Sequence, residues 1–252
     1  MKFLASVYYT IRFWTIITIL SIVLGTVAVL AAIVDRRGNL SHHIASLWSR
    51  WLCALNGVRV DLSGKENILQ DRAQIFVANH QSYFDIFALA GYLPVQIRWM
   101  AKSSLFRIPF LGWSMKAVGY IPVNRKDKKK AYLSFLATIE TIKSGNSVVI
   151  FPEGTRSEEG NIGPFKKGSH LLAIRSGAPM VPVTLMGSGK ILKKKSVIVR
   201  PGSIRIIVNP PIFPSQITPG ADDILKTVRG TILKTYQENL SEEGTRNPHI
   251  SR

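Results

Sequence analysis

Between Phe13 and Val34 the chain runs for 22 residues, FWTIITILSIVLGTVAVLAAIV, without one charged side chain. Wound as a helix at about 1.5 Å per residue, the run covers roughly 33 Å, the depth of a bilayer's hydrocarbon core. Core helices of soluble domains seldom go that far without a charge. A cleaved leader has a shorter apolar region and a small-residue cleavage site, which is not found here. A second pattern follows: Leu40, Ile44, Leu47, Trp48, Trp51, Leu52 and Leu55 recur at helical spacing, with His42, His43, Ser49 and Arg50 mostly opposite. Ser41 is placed to cap its start and Asn56-Gly57 to end it. Tryptophans beside an arginine suit the headgroup level of a bilayer. The expectation is two membrane-associated helices joined by a turn at Asp35–Asn39; an amphipathic helix packed on a domain is the alternative for the second. Lys2 and Arg12 on one side, Arg36 and Arg37 on the other, leave orientation open, as they leave open a span or a hairpin in one leaflet.

Past Val58 the texture changes. Short β-branched runs bounded by Gly, Pro or polar residues predict strands at 58–62, 74–79, 96–101, 119–124, 147–151, 180–186, 196–200 and 203–209. Helical patterns fall between several of them, at 83–91, 103–117, 127–144, 166–176 and 221–239. That alternation predicts an α/β domain, a mixed, largely parallel sheet flanked by helices, behind an N-terminal membrane-associated two-helix motif. The boundaries that follow are 1–57 for the anchoring helices, 58–240 for the α/β domain and 241–252 for a polar tail, with fraying from about Glu238.

Composition adds charge and little else. The single Cys, Cys53, excludes a disulfide scaffold and a Cys-rich zinc module, and reads as a small apolar filler. Thirty-three Lys and Arg against fifteen Asp and Glu leave a formal net charge of +18. Residues 98–130 hold nine of the basic residues and one acid, Asp127; residues 190–205 hold six more and no acid. One lysine run is ordinarily a solvated face. Two such regions predict an anionic partner, nucleic acid or lipid headgroups, and the apolar N-terminus favours lipid.

Two blocks carry chemistry. Asn79-His80-Gln81-Ser82-Tyr83-Phe84-Asp85 follows a predicted strand directly, which puts His80 at a β-to-α turn. On a regular helix, positions five apart point roughly 140° away from each other. His80 and Asp85 therefore meet only if His80 precedes the helix and its ring folds back. If they meet, Asp85 holds one ring nitrogen and the other accepts a proton from a substrate hydroxyl. Phe151-Pro152-Glu153-Gly154-Thr155-Arg156-Ser157 also follows an apolar strand. Gly154 lets backbone N–H groups close on an anion, and Arg156 offers a planar fork suited to phosphate. Glu153 is placed to orient that Arg or to bind a hydroxyl. The same tetrapeptide recurs as Glu243-Gly244-Thr245-Arg246 in the polar tail, with no strand before it. That copy reads as coincidence, so the tetrapeptide alone carries little weight. Gly119–Arg125 ends another predicted strand on an Arg, and Val181-Pro182-Val183 puts a Pro in a later one, suggesting an edge or a bulge.

In this order, Asn79–Asp85, Gly119–Arg125, Phe151–Ser157 and Val181–Val183 resemble the blocks of the glycerolipid acyltransferase family. The stretch Ala101-Lys102 through Phe110-Leu111-Gly112-Trp113 adds to a likeness that covers residues 50–190 or so. The resemblance implies transfer of a fatty acyl group from an acyl-coenzyme A or acyl-carrier-protein thioester to the sn-2 hydroxyl of a lysophosphatidate, giving phosphatidic acid for phospholipid synthesis. It implies His80 as the base and Asp85 as its orienter. Arg125 with Glu153, Gly154, Thr155 and Arg156 would hold the glycerol phosphate, and Lys102 would add a contact. No metal and no cofactor is implied, because the acceptor hydroxyl attacks the thioester directly. The implied partners are a lipid bilayer, lysophosphatidate and the acyl donor, not nucleic acid. The implied location is the cell inner membrane, with the catalytic domain on the cytoplasmic side.

Other readings compete. The acceptor could be another lysolipid, such as a lyso-ornithine lipid, or glycerol 3-phosphate; Lys102, Arg125 and Arg156 favour one that carries phosphate. A membrane-tethered nucleic-acid-binding protein fits the charge, but no helix-turn-helix, zinc finger or aromatic RNA-binding signature is present, and the His80 block would be unexplained. Gly187-Ser188-Gly189-Lys190 lacks the Ser/Thr and the first Gly of a phosphate loop. His42, His43, His170 and His249 are too scattered for a zinc site.

Overall fold

In the computed structural model, which describes residues 2–124, 126–214 and 221–246, seven strands form one sheet. They are β1 (Val58–Ser63), β2 (Ile75–Ala78), β3 (Ile97–Lys102), β4 (Ile121–Val123), β5 (Ser147–Ile150), β6 (Met180–Met186) and β7 (Gly202–Val208). Their order is β1-β7-β6-β2-β5-β3-β4, and every neighbouring pair is parallel except β6 with β7. The mixed, largely parallel sheet expected of the sequence is present. β2 and β5 are buried at every residue, which is why they read as unbroken apolar runs rather than alternating ones.

Alternate side chains of β2 feed two cores. Phe76 and Ala78 join Val149, Val181 and Leu185 under α3 (Phe84–Tyr92). Ile75 and Val77 join Val148 and Ile150 under α5 (Lys128–Lys143), α6 (His170–Ser176) and α8 (Ala221–Arg246). From β2 the chain goes out to β3 and β4, returns to β5 beside β2, then passes to β6 on the other side. The carboxyl ends of β2 and β5 therefore flank the point where the winding reverses, the usual place for a site in such sheets.

The N-terminal helices lie against this domain. α1 (Lys2–Val34) is, among the described residues, the one helix long and apolar enough to cross a bilayer. Yet it is held along much of its length. Phe13 packs on Phe84 and Phe87, the Trp48 indole N–H donates to Ser21 Oγ at 3.3 Å, and Gly25 approaches Phe110. Its other side exposes Ile11, Ile19, Val23, Leu30 and Ile33. α2 (Asn39–Leu55) buries small and polar residues together with Leu52 and Cys53, and leaves His43 and Arg50 exposed. Ser41, His42 and Ser49 are buried, while Leu40, Leu47, Trp51 and Leu55 are exposed. Burial, helped by the nearby Arg98 guanidinium, pushes His42 down to about 4, so its inward-facing ring is neutral at ordinary pH.

Several local expectations change. Ser41 does not cap α2: its hydroxyl donates to Ala28 O at 2.8 Å, tying α2 to α1. The Asp35 carboxylate takes that place, accepting from Arg37 N at 2.9 Å and Leu40 N at 2.7 Å. Gly38 at the turn has φ +74°, and a Cβ there would stand 2.9 Å from Ala117 O, so both backbone and space demand glycine. The single helix expected over 103–117 is a 3-10 turn at Ser103–Arg107 followed by α4 (Leu111–Ala117). Pro109 separates them, because a residue before proline is pushed out of the helical region and Ile108 is extended. Residues 196–200 form no strand; Val199 is buried beside α1 and its N–H donates to Thr10 Oγ1 at 3.1 Å. Pro182 is not on an edge, since β6 lies between β2 and β7. It faces Asn209 just past the β6–β7 register, which ends at Val183↔Val208; its carbonyl accepts from Asn209 N at 2.9 Å, and without an N–H it returns no bond. A short helix, α7 (Ser188–Ile191), follows β6, and α8 continues through 243–246 rather than ending near Glu238.

Candidate active site

β2 ends at Ala78, and the chain turns through 79–83 before α3 begins. Asn79 fixes the turn from below. Its Oδ1 accepts from Leu185 N at 2.8 Å and its Nδ2 donates to Leu185 O at 2.9 Å, a two-point clamp onto β6. His80 thus stands ahead of the helix, where its ring can fold back. Its Nδ1 lies 2.8 Å from Asp85 Oδ2. The same oxygen accepts from Gln81 N at 2.7 Å and Ser82 N at 2.8 Å. Asp85 is fully buried in the first turn of α3, with its Oδ2 turned to the backbone N–H groups that precede the helix. A carboxylate only accepts, so Nδ1 carries the proton and Nε2 keeps the free lone pair. No hydrogen bond engages Nε2 among the described residues. The imidazole also stacks on Phe151, with ring centroids 3.9 Å apart and planes 13° apart. One edge and one face of the ring are therefore fixed.

The loop after β5 wraps this histidine. Glu153 is buried, and its Oε1 accepts from His80 N at 2.8 Å while Oε2 accepts from Gly163 N at 2.8 Å. Ser157 N donates to His80 O at 2.7 Å. The two sequence blocks, more than seventy residues apart, meet as one cluster. Gly154 has φ +74°, a conformation that L side chains rarely adopt, and turns the loop outward. Thr155 is exposed. The Arg156 guanidinium lies over the Tyr83 ring, 3.9 Å from its centroid. The expected pairing of Glu153 with Arg156 is not found among the described residues: backbone N–H groups occupy both carboxylate oxygens, and an aromatic ring orients the Arg.

The other expected residues are less drawn in. Lys102 is exposed at the last position of β3, at the same end of the sheet, with no hydrogen bond or ion pair to this cluster among the described residues. Arg125 lies outside the described residues. Three features escaped the sequence. Tyr83 supports Arg156 from within the histidine block. The exposed Lys166 has its ammonium over Gly154, where a Cβ would stand 2.6 Å from Nζ, and its N–H donates to Pro152 O at 2.9 Å. Glu159 gathers Gly187 N at 3.0 Å and the Tyr236 hydroxyl at 3.3 Å, with the Gln81 amide donating to it at 3.1 Å. That network braces the histidine turn against α8. An aromatic four residues ahead of nothing periodic, and a Lys on the far side of a loop, leave no spacing signal in the sequence.

A strand-end histidine held by a buried aspartate, with Arg156 and Lys166 on the neighbouring loop, is an arrangement able to take a proton from a hydroxyl beside two cations. A family model described as Acyltransferase matches residues 59–186, and the chain belongs to that family. It is similar to proteins named 1-acyl-sn-glycerol-3-phosphate acyltransferase. One is a chloroplastic protein of Brassica napus, 38% identical over 182 residues, covering 71% of this chain and 52% of the relative. Another, of Pseudomonas aeruginosa, is 30% identical over 208 residues, covering 80% of this chain and 79% of the relative. The crystal structure of the 1-acyl-sn-glycerophosphate acyltransferase of Thermotoga maritima superposes with a TM-score of 0.84 at 25% identity, covering 94% of this chain and 97% of that one. The chain spans about half the length of two chloroplastic relatives, 52% of the Brassica napus protein and 55% of one from Arabidopsis thaliana.

Proposed function

We propose that this chain transfers a fatty acyl group from a thioester to the sn-2 hydroxyl of 1-acyl-sn-glycerol 3-phosphate, giving phosphatidic acid. The His80–Asp85 pair carries the reading. Nε2 takes the hydroxyl proton as the oxygen attacks the thioester carbonyl, and Asp85 steadies the imidazolium that forms. The tetrahedral adduct then collapses, the C–S bond breaks, and the leaving thiolate takes the proton from Nε2. Nothing in this sequence of steps calls on a Ser or Cys nucleophile, a metal or a cofactor.

The acceptor's phosphate is assigned to Arg156 and the backbone of Gly154 and Thr155, with Lys166, Lys102 and Arg125 adding charge. Glu153 is assigned to bracing His80 rather than to binding substrate, because its oxygens are already taken. The names of the relatives support lysophosphatidate over a lyso-ornithine lipid. The donor is coenzyme A or an acyl-carrier protein, both anionic and both suited to the basic surface.

Membrane attachment is assigned to the outward apolar sides of α1 and α2. Leu40, Leu47, Trp51 and Leu55 of α2, exposed while Ser41, His42 and Ser49 are buried, add to the exposed aliphatics of α1 an apolar surface suited to lipid. Domain residues meet α1 at Phe13 and again at Gly25, which favours a helix lying in one leaflet over one that spans the bilayer. With that anchor the site faces the cytoplasmic side, where acyl thioesters are made.

The test is acyl transfer from labelled acyl-coenzyme A by the purified chain in detergent. Lysophosphatidate, glycerol 3-phosphate and a phosphate-free lysolipid would be offered in parallel, and then repeated with acyl-carrier protein as donor. Transfer to lysophosphatidate alone is expected. Equal transfer to the phosphate-free lysolipid, or none from either donor, would overturn the assignment.

A further inference from the structure

The stretch 193–200, Lys-Lys-Lys-Ser-Val-Ile-Val-Arg, whose second half, 196–200, reads as a strand in the sequence, is a loop exposed except at Val199 and, in part, Ser196. Its lysines and Arg200 are exposed, as are Val197 at 63% and Ile198 at 46%. Adjacent exposed aliphatic residues rimmed by a basic run have the character of a contact surface. The loop is not slack. Lys195 has φ +63°, an uncommon conformation for a side chain this size, and closes a turn in which Ser196 N donates to Lys193 O at 3.1 Å. Ser196 Oγ then accepts from Ile198 N at 3.0 Å, and Arg200 N donates to Ile191 O at 3.0 Å.

Two further ties fix what the loop joins. On one side the Trp14 indole N–H donates to Val197 O at 3.2 Å, and Val199 N donates to Thr10 Oγ1 at 3.1 Å, both on α1. On the other side Ser82 Oγ, in the histidine turn, donates to Leu192 O at 2.8 Å. The loop therefore bridges the exposed apolar side of α1, near Val7 and Ile11, and the turn that carries His80. There is no acid between Lys190 and Arg205 to offset its charge. The carboxylate of Glu159, which packs under Gly189, is engaged by Gly187 N and Tyr236.

We infer that residues 193–200 form a second membrane contact, in which Val197 and Ile198 enter the headgroup boundary of an anionic bilayer while Lys193, Lys194, Lys195 and Arg200 bind its headgroups. The inference rests on the proposed membrane reading. It adds to that reading a contact dependent on lipid charge, tied directly to the histidine turn, so that docking sets the depth and tilt at which the site meets a lipid acceptor. An acidic carrier protein could also recognise lysines, but the aliphatic tip and the seat on α1 favour the bilayer. Charged side chains near an anionic surface each add about a fivefold preference, screened by salt.

The test places a polarity-sensitive fluorophore on Ile198→Cys in the full chain. Cys53, the other thiol, is buried and pushed up to about 12 by burial, so labelling is confined to the loop. The labelled chain is added to vesicles of phosphatidylcholine alone and of equal parts phosphatidylcholine and phosphatidylglycerol, and flotation reports attachment of the whole chain. On the anionic vesicles the emission is expected to shift to the blue and to be quenched by a lipid-borne quencher at the headgroup boundary. Replacing Lys193, Lys194 and Lys195 by Gln should reduce that quenching at low salt about tenfold or more. High salt should do the same to the unsubstituted loop. A chain that floats while its loop probe stays in water would overturn this inference and leave the anchor reading intact. A chain that does not float would overturn both. Equal quenching on both vesicle types, unaffected by the Lys→Gln changes, would overturn the charge dependence. A shift produced by acyl-carrier protein without vesicles would assign the loop to a protein partner instead.

Discussion

The chain spells Glu-Gly-Thr-Arg twice, at 153–156 and at 243–246, and folds the two copies in unrelated ways. The first follows a buried strand of the parallel sheet. Its Gly takes φ +74°, its Glu carries the main chain of His80, and its Arg lies on Tyr83. The second continues α8, a helix that packs on the sheet through residues well before it, such as Val228 and Ile232. Identical letters acquire a function only where a strand end, a neighbouring histidine turn and an aromatic support are already in place. The difference lies in what surrounds the tetrapeptide, and three of its four positions offer a way to expose it.

The largest contrast is expected at the glutamates. Glu153→Gln puts an amide N–H₂ against a backbone N–H, either that of His80 or that of Gly163. Losing a charge-assisted, buried acceptor costs about 2 to 3 kcal/mol, and activity should fall by about 100-fold, while Glu243→Gln leaves both stability and activity unchanged. Thermal unfolding and acyl-transfer rates on the pair check this. Next come the arginines. Arg156→Ala should lower kcat/KM for lysophosphatidate by about tenfold to 100-fold, with little effect on a phosphate-free acceptor, and Arg246→Ala should do neither. Comparable losses at both positions would show that the wrong copy was chosen. Tyr83→Ala should raise the KM for lysophosphatidate by about threefold to tenfold, since a partly exposed cation–π contact contributes about 1 kcal/mol. Tyr83→Phe keeps the ring and should keep the KM; a loss in both variants would place the effect in the hydroxyl. The smallest contrast is at the glycines. Gly154→Ala should destabilise the fold by about 1 to 2 kcal/mol because its backbone is left-handed. Gly244→Ala should stabilise α8 by up to about 1 kcal/mol, a difference in sign that paired denaturation curves would detect.

Much of this was legible in the sequence, for physical reasons that vary by element. β2, β5 and β6 were readable because strands buried on both faces are short, apolar and β-branched. The sequence made the meeting of His80 with Asp85 conditional on His80 standing ahead of the helix, and it does, because β2 ends at Ala78 and α3 begins at Phe84. Less was legible where the partner is distant in sequence. The run 196–200 has the composition of a strand, but a hydroxyl and an indole of α1 take its hydrogen bonds. Ser41 has the character of a cap, but Asp35 reaches two backbone N–H groups first. The inward turn of Ser41 and Ser46 on α2 depends on Ala28 and Gly91, whose carbonyls accept from them. The role of Tyr83 depends on a ring meeting a guanidinium across 73 positions, which no local pattern encodes.

Acyl transfer by His80→Ala is the most direct check of the base assignment. Single-turnover transfer from acyl-coenzyme A to lysophosphatidate would be followed in the variant and in the unsubstituted chain, with lysophosphatidate binding and thermal unfolding measured on the same samples. An oriented base at Nε2 predicts a fall of about 100-fold or more in the transfer step, with acceptor binding and stability nearly unchanged. A variant that transfers acyl groups within a few-fold of the original rate would contradict the account.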